Sequence, residues 1–394
     1  MCSPFENRLA LPFFLSNRIG IHQKAEGQNV ASRTIKTSTP LEPYKQGETA
    51  IEGQKDIIKL SSNELPYPPS PAALQAFVDA QAYLSRYPDG SQFALREAIS
   101  KIHGISTSNI FAGNGSEEAI GLVIRSVLSP GDEMIISENS FKMAEIYASS
   151  VGAKITKCPE RDFRVDVQAI LAAITEDTKI VYLCSPNNPT GTYTRKTELF
   201  HLETQLPKDV ILILDAAYAE FVGEPDYDSG LALFSPHGRV VVTRTFSKAY
   251  GLAAQRVGWA AAPDNIIDAV ACIRTPFNTN TAAQNAATAA VLDQSYLKEI
   301  VARIQKTRDA FIEELRNLGL TVVPSQANFV LIIFSPHSTD VPALDAALKA
   351  HGILGRPASE SAHEFRLSIG TDDEMAKTIS VIRKWVQTPR KEQK

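Results

Sequence analysis

Ile180-Val181-Tyr182-Leu183-Cys184 runs straight into Ser185-Pro186-Asn187-Asn188-Pro189-Thr190-Gly191, an apolar segment of strand length closed by turn-forming residues. A strand with one wet face alternates apolar and polar side chains. This one does not, so both of its faces are covered. Ile211-Leu212-Ile213-Leu214 and Val240-Val241-Val242 repeat the pattern. Around them, helix-period segments at 116–128, 140–150 and 165–174 are interleaved with strand-like ones at 133–137, 154–158, 179–184, 210–215, 239–245 and 257–262. The alternation predicts an α/β fold: a mostly parallel sheet flanked by helices.

After Pro276 the pattern changes. Helices are predicted at 280–292, 296–318, 341–350 and 373–386, and strands at 321–323, 328–334 and 365–369. This reads as a smaller C-terminal α+β domain, giving a division into an extended arm (1–62), a large domain (63–290) and a small domain (291–394). Pro40, Pro43 and Gly47 break regular structure in the arm. The apolar stretch 9–15 is short, holds Pro12 and lacks a nearby small-residue cleavage site, so the N-terminus is expected to be a poorly ordered extension and not a leader.

Of the 394 residues, 44% are hydrophobic and 21% charged, with formal net charge −4. That balance supplies no attraction to nucleic acid or an anionic membrane, and no apolar run reaches spanning length. Cys2, Cys158, Cys184 and Cys272 are scattered, which implies neither a metal site nor a disulfide framework and suits a reducing cytoplasm. Cys184 reads as a small core residue, and His103, His351 and His363 as solvated.

The chemistry gathers at strand ends. Lys248 follows the strand 239–245, where parallel sheets place ligands. Thr245 and Ser247 flank it with hydroxyls and Arg256 lies eight residues on, a set suited to a phosphate dianion. Asp215 ends another strand, either as a helix cap or as the acceptor for a protonated ring nitrogen, with Tyr218 within reach of a ring hydroxyl. Asn187 lies in the turn-rich loop, either as a loop former or as a donor to the same ring oxygen. Gly113-Asn114-Gly115-Ser116-Glu117-Glu118 opens a helix whose free N–H groups favour a phosphate, although the same residues suit ordinary helix initiation. Taken together, these groups match the phosphate, ring nitrogen, ring oxygen and aldehyde of a single cofactor.

SPNNPTG, LDAAY, TRTFSKAYGL and RVGWA resemble the fold type I pyridoxal-5′-phosphate (PLP) aminotransferases. LSSNELPYPPSP, RYPDGSQFALREAI, GNGSEEAI, RTPFNTN, ANFVL and FRLSIGT resemble the histidinol-phosphate aminotransferases among them, and the likeness spans about residues 43–385. The resemblance implies that Lys248 joins PLP covalently and shuttles the proton. It implies that Asp215 meets the ring nitrogen, Asn187 and Tyr218 the ring oxygen, and Gly115, Ser116, Thr245, Ser247 and Arg256 the phosphate. Phe141 would stack on the ring, and Tyr87 would reach the cofactor of a neighbouring subunit, hence a homodimer with shared sites. Asn63, Asn328, Arg356 and Arg366 would face the small-molecule substrates, histidinol phosphate and 2-oxoglutarate or glutamate. Ala144, and Ala358-Ser359-Glu360-Ser361-Ala362-His363 after Arg356, depart from the family pattern. Aromatic amino-acid transamination and phosphothreonine decarboxylation are the rival activities on this fold. A nucleotide-binding domain is disfavoured by the absence of GxxxxGK[ST] and of a GxGxxG after a strand.

Overall fold

The computed structural model describes residues 44, 46–335, 340–358 and 363–388. The expected arm before residue 44, Cys2, and residues 359–362 of the departing segment lie outside them. The described residues fall in one compact unit holding two main sheets.

The larger sheet has seven strands: β1 (Ile110–Gly113), β2 (Glu133–Ser137), β3 (Lys154–Cys158), β4 (Thr178–Cys184), β5 (Ile211–Asp215), β6 (Val240–Thr245) and β7 (Gly258–Ala261). Their order is β1-β7-β6-β5-β4-β2-β3. The pairs β6·β5, β5·β4, β4·β2 and β2·β3 are parallel, and β7 alone runs antiparallel to both neighbours. The unbroken apolar runs reflect burial on both sides. Tyr182, Cys184, Ile211, Ile213 and Val241 pack in one core with the helix Gly115–Val127, whereas Val181, Leu183, Leu212, Leu214 and Val242 pack in another with Leu199 and Leu202 of the helix Lys196–Gln205.

The smaller sheet is antiparallel: β8 (Thr321–Val322), β9 (Phe329–Ile333), β10 (Arg356–Pro357) and β11 (Glu364–Ser368), in the order β8-β9-β11-β10. Ile58–Lys59, expected within an irregular arm, is a short strand parallel to Ile353–Leu354. That pairing, with the Leu60 carbonyl accepting from the Ser368 amide at 2.9 Å, anchors residues 58–63 beside β11. Among the described residues no helix is long and apolar enough to cross a membrane, and no cluster of His, Cys, Asp and Glu is arranged to hold a metal ion.

Candidate active site

Strand register builds the site. Cys184, Asp215 and Thr243 are aligned across β4, β5 and β6 at the C-terminal edge of the parallel strands. Side chains paired in this way share a face, so Asp215 lies between a thiol and a hydroxyl. Asp215 Oδ2 accepts from the Tyr182 hydroxyl at 2.8 Å, and Oδ1 from Thr243 at 3.2 Å. Burial pushes the carboxyl above its ordinary range. The two hydroxyls, the Ala217 N–H and the charge of Lys248 pull the other way.

Lys248 Nζ donates to the Ser62 carbonyl at 3.2 Å and sits 5.8 Å from the centre of the Tyr218 ring. Burial, joined by the guanidinium groups of Arg366 and Arg256, lowers its amine to about 7, against the pull of Glu64 and Asp215. An amine so placed is substantially neutral near pH 7 and available as a nucleophile or base.

A cavity of ≈ 340 Å³ joins these groups; Lys248, Asp215, Tyr218, Phe141, Thr245 and Ser247 are in its wall. At one end Arg256 Nη1 donates to Ser247 Oγ at 3.1 Å, and Ser116 stands on the wall at the start of its helix. Gly115 lies behind them: a Cβ on it would meet Arg256 Nη2 at 2.6 Å, and its φ of +82° favours glycine. At the other side the Arg366 guanidinium, buried over the Phe329 ring, donates to Asn188 Oδ1 at 2.5 Å and to the Ser61 carbonyl at 3.0 Å, leaving Nε without a partner. Arg356 joins the same wall, with Nη2 donating to the Tyr44 hydroxyl at 3.1 Å. Asn63 is on the wall as well, its Nδ2 donating to the Tyr218 hydroxyl at 3.0 Å.

Three expectations, for Asn187, Asn328 and His103, need correction. Asn187 does not reach the cavity: its Nδ2 donates to the Asn139 carbonyl at 2.5 Å and to Glu160 at 3.2 Å, and the neighbouring Asn188 takes the place on the wall. Asn328 is buried off the wall, bracing the loop before the first helix through Nδ2 to the Asn63 carbonyl at 3.1 Å. Tyr87, expected to serve the cofactor of a second subunit, is 83% exposed and stacks on Phe277 with ring centres 4.8 Å apart. Cys184 is a buried core residue, as expected, and also lines the site; His103, far from being solvated, is half-buried against Trp259 and pushed down to about 3 by burial.

Tyr182, Thr243, Asn188 and Tyr44 were not foreseen. For the first two a signal existed: Tyr182 lies two residues before Cys184 and Thr243 two before Thr245, so each shares a strand face with a residue at the site edge.

The donor set suits PLP: an amine for an aldehyde, a buried carboxylate with lone pairs to spare for a ring N–H, a phenol for a ring oxygen, and a guanidinium–hydroxyl nest for a phosphate. The family model for class I and II aminotransferases matches residues 55–382. The chain belongs to that family. This aminotransferase is 42% identical over 353 residues to the histidinol-phosphate aminotransferase of Rhodopseudomonas palustris strain TIE-1, an alignment covering 89% of this chain and 97% of the relative. Its structure is similar to that of the Sinorhizobium meliloti histidinol-phosphate aminotransferase in complex with PLP, with a TM-score of 0.80, 28% identity, and coverage of 85% of this chain and 92% of the other. A Thermus thermophilus aspartate aminotransferase variant shares the fold, with a TM-score of 0.74 at 23% identity over 85% of this chain and 98% of the other. The α/β expectation of a fold type I transaminase is thereby met.

Proposed function

We propose that this PLP-dependent aminotransferase moves the amino group of L-histidinol phosphate to 2-oxoglutarate, giving imidazole-acetol phosphate and L-glutamate, the transamination of histidine biosynthesis. The observation that carries the substrate class is the pairing of Arg356 with Arg366 across β10 and β11, both on the cavity wall with Lys248. Like charges in directly opposed positions repel, and an anionic substrate relieves that repulsion. Histidinol phosphate brings a phosphate and 2-oxoglutarate brings two carboxylates, so one cationic wall serves both half-reactions through planar, bidentate contacts. The extent of identity to the Rhodopseudomonas enzyme supports the same choice.

When bound, PLP supplies the aldehyde that takes up the amine and the ring that draws electrons from the substrate carbon. The chain's residues supply the rest. Lys248 Nζ would hold the aldehyde and, when free, would take the proton from the substrate carbon; a well-placed base contributes roughly 10²–10⁴ in rate. Asp215 would hold the ring N–H, Tyr218 and Asn188 the ring oxygen, and Phe141 the ring face. Arg256, Ser247, Thr245 and Ser116 would hold the cofactor phosphate, backed by Gly115. The oxo acid then runs the sequence in reverse, so the kinetics are ping-pong.

The same reading includes a homodimer in a reducing cytoplasm. Large apolar side chains along 74–93, among them Phe77, Tyr83, Leu84 and Tyr87, are exposed together with Phe277, which suits a surface covered by a second copy. Cys158, Cys184 and Cys272 are free thiols.

The test mixes holoenzyme with single amino donors in the absence of an acceptor and follows the cofactor absorbance. Histidinol phosphate converts the cofactor fastest. Faster conversion by phenylalanine or tyrosine, or release of carbon dioxide from phosphothreonine, would replace the substrate assigned here.

A further inference from the structure

We propose that Tyr182 and Thr243 are positioning residues that clamp Asp215 as an ionised, oriented carboxylate for the cofactor's ring nitrogen; the inference rests on the aminotransferase reading above. The geometry is a two-point grip. The Tyr182 hydroxyl donates to Oδ2 at 2.8 Å from one neighbouring strand, and the Thr243 hydroxyl donates to Oδ1 at 3.2 Å from the other. With each oxygen tied to a different flanking strand, rotation of the carboxylate about its Cβ–Cγ bond breaks one bond or both. A carboxylate has about four acceptor positions, so room remains for a further donor from the cavity.

Tyr182 has little else to do with its hydroxyl. Its side chain is fully buried among Ile136, Ile180, Ile213 and Val241. A buried hydroxyl needs an acceptor, and in this apolar setting phenylalanine would fill the same space without that need. Placing a phenol there has its consequence at Asp215. The direction of donation is fixed as well: burial and the charge of Asp215 hold the phenol well above its ordinary range, so it remains a donor across the working pH range. The other titratable groups facing Asp215 are Cys184 on β4, with Sγ 3.9 Å from Oδ2, Tyr218 beyond β5 and Lys248 beyond β6. Cys184 has a nearer acceptor in the Pro186 carbonyl at 3.3 Å, and the burial that raises its thiol keeps it protonated. Among the groups that oppose burial, Lys248 acts through its positive charge, and the two hydroxyls and the Ala217 N–H act through hydrogen bonds to the ionised form.

The proposal separates from a packing role in the cofactor-free protein. Burial has already raised the Asp215 carboxyl, so the folded chain holds a proton that the unfolded chain has released, and that part of its stability falls as pH rises through the window above the ordinary carboxylate range. Tyr182→Phe removes a donor to the ionised form and widens that window. The melting temperature of the variant therefore drops further below wild type as pH rises above the ordinary carboxylate range. In parallel, equilibrium dialysis shows PLP binding weakened about tenfold or more, and the visible band of the resting holoenzyme titrates at a different pH. Thr243→Val acts in the same direction, and Thr243→Ser, which keeps the hydroxyl, stays closer to wild type. A melting deficit that does not change with pH, together with unaltered PLP affinity, would overturn the proposal. The donor preference of the wild-type enzyme bears on the substrate reading alone, so the two can fail separately.

Discussion

Arg356 and Arg366 lie directly opposite each other in the antiparallel pairing of β10 with β11, and both side chains enter the wall that contains Lys248. Two guanidinium groups are thus held as cross-strand neighbours, the arrangement that sheets ordinarily avoid. Burial, with the charge of Arg356 added, lowers the Arg366 guanidinium to about 10. Asn188 and the Ser61 carbonyl fix its orientation, and buried Nε remains without a partner. A buried donor left unpaired is costly unless a ligand takes it up.

Arg366→Lys keeps the charge and loses the planar fork. Hydrogen bonds to charged groups contribute about 1.5–3 kcal/mol each, so kcat/KM falls by about one to two powers of ten. If one guanidinium serves both half-reactions, the loss extends to histidinol phosphate and glutamate alike. Steady-state kinetics with each substrate check this; a defect confined to one of them would assign Arg366 to that half-reaction.

Lys248 has a pH signature even without cofactor. Its ordinary value of 10.5 is lowered to about 7 in the folded chain. Between those values the unfolded chain holds a proton that the folded one has given up, so stability rises with pH through that window. Below it both states are protonated and the folded chain bears the full cost of a buried ammonium. Lys248→Met removes that cost. The cofactor-free variant is expected to melt above wild type at about pH 6, with the gap closing towards about pH 10, and borohydride should fix no cofactor to it. A variant that melts below wild type at the lower pH would show that the amine is not penalised by its surroundings.

Gly115 tests the phosphate end. Alanine there combines a strained left-handed backbone with a Cβ 2.6 Å from Arg256 Nη2. Gly104 has a similar φ of +70° with nothing within 4 Å of its Cβ position. Both substitutions carry the backbone cost, and only the first displaces the guanidinium. Gly115→Ala should weaken PLP binding by about tenfold or more, and Gly104→Ala should leave it at the wild-type value while lowering the melting temperature. Equal PLP affinities in the two variants would remove Gly115 from the cofactor's support.

What was legible in the sequence follows from what local pattern encodes. The unbroken apolar runs of β4, β5 and β6 disclose burial on both faces, and hence the layered fold, because each residue along them must be dry. The reversal of β7 leaves no such trace: a strand's direction depends on its connections, not on which of its residues are apolar. Asp215 stood out as a charged group ending an apolar strand, and Lys248 as one just past the end of another. Tyr182 and Thr243 were concealed inside such strands, where an aromatic or β-branched residue suits the core equally well. Asn187 and Asn188 are chemically identical neighbours, and only the course of the loop after β4 decides which of them reaches Arg366.

Tyr87 is 83% exposed in the single chain and stacked on Phe277. If it completes the cofactor site of a second copy, each site combines Lys248 of one subunit with Tyr87 of the other. Homodimers of Lys248→Ala are then inactive, and homodimers of Tyr87→Ala bind PLP weakly. Unfolding and refolding the two variants together produces mixed dimers in which one of the two sites carries both native residues. Activity should return in the mixture to about a quarter of the wild-type level, since random pairing makes half the dimers mixed and each holds one intact site. Recovery no greater than the sum of the separately refolded variants would confine Tyr87 to its own subunit's surface.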